Sequence, residues 1–186
     1  MASGKADKNF YANIMKGTAE KKMQQTIQSI PNNKTMVVFS DDMDKAIAAL
    51  IIANGAASMG RKVTMFYTFW GLNIIKKHNK VNAPKDFMGK MFGMMLPRGT
   101  KKLKLSQMNM MGMGPKMIRH IMKTKNVDSL ETLLDMALKN GVNMIACNMS
   151  MDLMGVHESE LIDGITLGGV ATYLGEAEDA DVNLFI

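Results

Sequence analysis

The reactive group of this sequence is its only cysteine, Cys147, which stands in the stretch VNMIACNMSMDLMG over Val142–Gly155. A thiol acts as a nucleophile through its thiolate. The residue types on either side say where that sulfur would sit. VNMIAC is a short apolar run that reads as a buried strand, and Asn148 and Ser150 are residue types that cap helices, so the strand is predicted to run directly into a short helix. Cys147 at that junction would lie over unpaired backbone N–H groups and the positive end of a helix dipole. Both favour anionic sulfur and would hold a persulfide or a transient oxyanion without a metal. The substrate-binding set predicted around it is the segment Asn148, Met149 and Ser150, whose backbone N–H groups face the sulfur, with Met151, Ser40, Asp41 and Trp70 shaping the rim. The opposing reading is structural, because free cysteine is among the most buried residue types and fits an apolar strand as a small core residue. On the residues alone both readings stand.

Other clusters carry less chemistry. The acidic run SDDMD, Ser40–Asp44, could hold a cation, but at the end of a strand it reads as the cap of the next helix. Phe69 and Trp70 follow the second strand and wall a pocket or join the core. Met108, Met110, Met111, Met113 and Met117, five of the chain's 22 methionines, are spaced as a copper(I) site could use them. Flexible thioethers also make adaptable contact surface, and no metal site is assigned on this pattern. His78, His120 and His157 lie far apart and outside any H-x-x-H pattern, so zinc has little support. No GxxxxGK[ST] loop occurs and GMGPKM lacks the third glycine of a dinucleotide fingerprint, so no cofactor is expected.

The elements that must position Cys147 follow from periodicity. KTMVVFS and RKVTMFYT read as buried strands with a helix, Asp44–Met59, between them, a βαβ unit whose right-handed crossover implies a parallel pair. FWGLNIIKKH reads as a helix. Val81–Gly114 is broken by proline and glycine and predicts short helices and a long loop, with a strand near Leu103–Ser106. Helices are predicted from Pro115 to Met122 and from the Ser129 cap to Gly141, then the strand VNMIAC, a helix over Gly168–Ala177 and a closing strand, Val182–Ile186. Tyr11–Ile30 has apolar residues on one helical face and is stopped by Pro31. The expected organisation is an N-terminal amphipathic helical extension, residues 1–33, and an α/β domain, residues 34–186, built as an open, mostly parallel sheet with helices on both faces. Ligands of such sheets bind at the carboxyl ends of the strands, where Cys147 falls.

Composition sets the compartment and the partners. One cysteine cannot form an intramolecular disulfide, the segment MASGKADKNFYANIMKG has no apolar signal-peptide core, and the best apolar run, Ala46–Ala53, is too short for a bilayer. A cytoplasmic protein without a membrane span is expected. The net charge of +6 hides a segregation: residues 61–125 hold 15 Lys/Arg against one acid, and residues 126–186 hold 11 acids against one base. No helix-turn-helix, zinc-finger or RNP pattern accompanies the basic stretch, so a solvated or subunit-facing charge run is preferred to nucleic-acid binding.

MVVFSDDMDKAIAALIIANGAASMGRKVTMFYTFWGL, then KMFGMMLPRG and LSQMNMMGMGPKMI, then IACNMSMDLMGV and a closing acidic segment, together resemble the DsrE/DsrF-like sulfur-relay family. The likeness is to its longer DsrE-like branch, sometimes labelled peroxiredoxin-like, and covers Lys34–Ile186. It implies a DsrE/DsrF-like α/β fold with flavodoxin-like layering, homo-oligomers, and cytoplasmic sulfur transfer between proteins or small thiols. In that role Cys147 would carry sulfane sulfur as a persulfide, the chemistry of a sulfurtransferase or carrier. The peroxiredoxin label is not supported by the residues, since GVNMIAC holds neither the Pro nor the Thr or Ser that precede a peroxidatic cysteine. Two other functions fit the chain: a non-catalytic oligomeric adaptor for redox or sulfur enzymes, docking through the Met-rich loop, and a one-cysteine thiol peroxide reductase or sensor, which would form sulfenic acid at Cys147.

Overall fold

The structure is a computed structural model that describes residues 32–81, 83 and 95–186, with Gly17, Lys21, Gly89, Met91 and Gly93. The chain divides into two units, Met1–Pro31 and Asn32–Ile186, and the sheet with its helices belongs to the second. The helix expected over residues 11–30 lies, but for Gly17 and Lys21, outside the described residues.

Runs rich in Val, Thr, Met and aromatic residues form the strands β1 (Asn33–Val38), β2 (Val63–Tyr67) and β3 (Asn143–Cys147), followed by β4 (Thr166–Gly168) and β5 (Ala180–Phe185). They pair in the order β4-β3-β2-β1-β5, and every pairing is parallel. All of β2 and the last four residues of β3 are buried, the near-continuous apolar pattern of parallel strands covered on both faces. Alternation divides their side chains. Met36, Met65, Met144 and Ala146 join the main core with Ala46, Ala49, Leu50 and Ala53 of helix α1 (Met43–Ser58), and with Leu133 and Ala137 of a later helix. Phe66, Ile145 and Cys147 form a second, smaller cluster, with Val37 and Tyr173 packed against it.

Further helices of this unit are α2 (Met113–Thr124), α3 (Leu130–Lys139), α4 (Asn148–Met154) and α5 (Val170–Glu178). Ser129 caps α3 as expected, its Oγ accepting from the Thr132 N–H at 3.1 Å. The α5 side of the sheet is thinly covered: no residue of α5 is buried, and Val170, Leu174 and Phe185 are exposed.

Three local expectations change. Phe69–Asn73 is a single 3₁₀ turn, not the start of a helix through His78. The cause is the close approach of Gly71 to the end of β1. Its N–H donates to Phe39 O at 2.8 Å, and a Cβ on it would fall 2.0 Å from Val38 O, so the chain is tied to its neighbour before a regular helix can form. Leu103–Ser106 is not a strand, because its polar groups serve the start of α1: Lys104 O accepts from Met43 N–H at 2.7 Å, and the Asp44 carboxylate accepts from Ser106 N–H at 2.9 Å. Asp42 occupies the N-cap position of α1 without making a side-chain cap hydrogen bond; it accepts from the Ser40 hydroxyl at 2.9 Å and pairs with Lys45 at 2.7 Å.

Candidate functional site

Cys147 ends β3 and is itself the N-cap residue of α4, with extended backbone (φ −71°, ψ 113°), so strand passes to helix without a loop. The thiol is free and only 4% exposed. It belongs to the small cluster on the α5 side, where the Phe66 and Tyr173 rings stack 5.2 Å apart. Cys147 is thus placed at the carboxyl edge of the sheet and lies under cover.

The residues grouped with it from sequence take different places. Asn148 and Met149 face solvent on the first turn of α4, while Ser150 and Met151 turn inward. The Ser150 hydroxyl is fully buried and lies 2.7 Å from the Thr68 hydroxyl at the end of β2, so it is engaged within the protein. Trp70 is exposed, and the turn that carries it packs against α4. Ser40 and Asp41 follow β1, and β2 lies between β1 and β3. Their polar groups serve the loops: the Ser40 Oγ accepts from Asp42 N–H at 3.1 Å, and Asp41 accepts from Asn73 Nδ2 at 2.8 Å. Asn73 in turn accepts from the buried Lys76 ammonium at 2.8 Å. The structure therefore brings the Trp70 turn to α4 and leaves Ser40 and Asp41 on the far side of β2.

Residues 31–185 match the model of the DsrE/DsrF/DrsH-like family. The chain belongs to this family. It is 54% identical over 152 residues to the uncharacterized protein YrkE of Bacillus subtilis (strain 168), covering 82% of this chain and 95% of YrkE. It is 35% identical over 155 residues to the sulfur carrier protein DsrE2 of Allochromatium vinosum, covering 81% of this chain and 96% of DsrE2. The crystal structure of the ychN protein from E. coli superposes with a TM-score of 0.48 at 11% identity, over 83% of this chain and 99% of that one.

The DsrE-like domain buries further polar groups. Arg98 pairs with Glu160 at 2.9 Å, the carboxylate being 1% exposed, and Glu160 also accepts from His157 N–H at 3.0 Å. Burial holds the Tyr67 hydroxyl protonated far above the ordinary phenol range. A cleft of about 500 Å³ between α1, α2 and α3, lined by Met43, Ile47, Arg119, Met122 and Glu131 among others, does not include Cys147. No helix among the described residues is long and apolar enough to cross a membrane. Thr68 and Tyr173 were not among the site residues expected from sequence. Thr68 carried a usable signal, a hydroxyl directly after an apolar strand at the ligand-binding edge. Tyr173 carried none, since only the fold sets it against the cluster of Phe66, Ile145 and Cys147.

Proposed function

We propose that this DsrE-like chain is a sulfur carrier that works through Cys147. The observation that carries the reading is the position of the single cysteine, at the carboxyl end of β3 and the start of α4. The likeness to a protein named as a sulfur carrier supports it. In the loading step the Cys147 thiolate attacks the outer sulfur of a donor persulfide, forming a new S–S bond as the donor's S–S bond breaks and its thiolate leaves. Unloading repeats the exchange, with an acceptor thiolate attacking the outer sulfur of the Cys147 persulfide and Cys147 leaving as thiolate. No external oxidant enters either step. Backbone N–H groups in the first turn of α4, which have no intrahelical acceptor, face the anionic sulfur. Asn148, Met149 and Trp70 form the exposed rim over which donor and acceptor approach.

The carrier works in the cytoplasm as a homo-oligomer. Subunit contact would cover Val170, Leu174 and Phe185, which α5 and β5 leave exposed on one side of the sheet. A second reading, an adaptor whose thiol is an inert core residue, draws on the 4% exposure of Cys147. Intact mass spectrometry after incubation with polysulfide or thiosulfate separates the two. The carrier gains the mass of one sulfur, removable by reductant and absent in Cys147→Ser. Absence of any adduct on the native chain would favour the adaptor.

A further inference from the structure

We propose that the Met-rich segment at the start of α2 is a binding site for copper(I), held by the thioethers of Met108, Met113 and Met117 with Met110 beside them. Most methionines in folded chains fill cores, whereas these are presented to solvent, from 48% exposure at Met117 to full exposure at Met111. Met113 and Met117 are four residues apart on α2 and share one helical face. Met117 also lines a cleft of about 370 Å³ together with Met108, so Met117 shares a helical face with one thioether and a cleft with another. Asp44 places a carboxylate on the same cleft, a fixed negative charge beside a monovalent cation.

The backbone is built to hold Met108 there. Gly114 presses against it so closely that a Cβ would lie 2.0 Å from Met108 O, and the Gly114 N–H donates to Asn109 O at 3.2 Å. Met108, Met110 and Met111 all adopt left-handed φ angles, between 43° and 55°, a conformation that costs free energy for residues with a Cβ and recurs where a loop is constrained for binding. In the same loop the Asn109 Oδ1 is buried with no hydrogen-bond partner among the described residues. Three or four thioethers with no thiol among them select copper(I) over zinc, magnesium or calcium. This inference does not rest on the sulfur-carrier reading, since Cys147 takes no part in it.

The test is anaerobic titration of the full chain with copper(I) in competition with bicinchoninate, on the native protein, Cys147→Ser, Met113→Leu/Met117→Leu, Met108→Leu and Met59→Leu. Met59 is an exposed methionine at the far end of α1 and serves as control. The expected result is one equivalent retained by the native chain, by Cys147→Ser and by Met59→Leu, with affinity weakened by at least about tenfold in the two α2-loop variants. Circular dichroism identical to native in those variants keeps the loss specific to the ligands. No retention by the native chain, loss in Cys147→Ser, or equal weakening in Met59→Leu would each overturn the proposal.

Discussion

Removing the Ser150 hydroxyl leaves Thr68 Oγ1 buried without the partner it has at 2.7 Å, so Ser150→Ala is expected to cost about 1–3 kcal/mol of stability. Thr68→Val should cost a similar amount. The double variant should cost less than the sum, because neither hydroxyl is then left alone; urea denaturation of the four proteins reads the coupling. A second expectation at this scale concerns acid. Burial pushes the Glu131 carboxyl up, but hydrogen bonds from Thr100, its own backbone and Ser129, with the charge of Arg119, outweigh it and hold the group below its ordinary value of 4.5. Asp44 behaves likewise: burial raises it, and the Ser106 hydroxyl and N–H lower it further than burial lifts it, below 3.8. A carboxyl depressed in the folded state contributes stability that is complete above its unfolded value and is lost as pH falls through its folded one. The urea midpoint is therefore expected to drop as pH falls from about 6 to 3, less steeply in Glu131→Gln.

Among the elements, the turn after β2 packs against α4, and helix α5 packs Tyr173 against the cluster that holds Cys147. Gly71→Ala would drive a Cβ to within 2.0 Å of Val38 O, and the backbone shift it forces is expected to cost about 1–3 kcal/mol or more, read by thermal denaturation. Helix α5 follows Gly168 and Gly169, has no buried residue, and contributes Tyr173 to the cover of the Cys147 cluster. If a weakly anchored element must open locally before a thiol 4% exposed meets a reagent, α5 is the candidate. Tyr173→Ala is expected to speed labelling of Cys147 by an aromatic disulfide on the order of tenfold, as about 1.4 kcal/mol less opening free energy would. An unchanged rate would mean that the sulfur is reached from the Trp70 and Met149 side instead. Strands β1, β2 and β3 and helices α1 and α3 were legible because a run of periodic apolar pattern, bounded by caps and turn residues, specifies each locally. The 3₁₀ turn at Phe69 and the loop at Leu103 were not, because their conformation answers to partners distant in sequence, Val38 and Phe39 for the first and Met43 and Asp44 for the second.

For the molecule as a whole, the exposed apolar side around α5 and β5 and the charge division between residues 61–125 and 126–186 bear on assembly. Leu174→Lys combined with Phe185→Lys is expected to lower the mass measured by light scattering to that of one chain, while leaving the circular dichroism of the fold unchanged. An assembly that weakens with salt would assign part of the contact to the segregated charges, and one indifferent to salt would assign it to the apolar side. The sequence by itself determined the alternation of strand and helix, the parallel sheet that such alternation requires, and the place of Cys147 at a strand's carboxyl end, since all three follow from local apolar period and chain connectivity. The tertiary structure alone decided that Ser150 points inward to Thr68, that Asp41 serves a loop beyond β2, and that Tyr173 helps cover the cysteine's cluster. Those outcomes depend on which strands become neighbours and which face each helix covers, and the free energy that selects them comes from contacts between residues far apart in the chain.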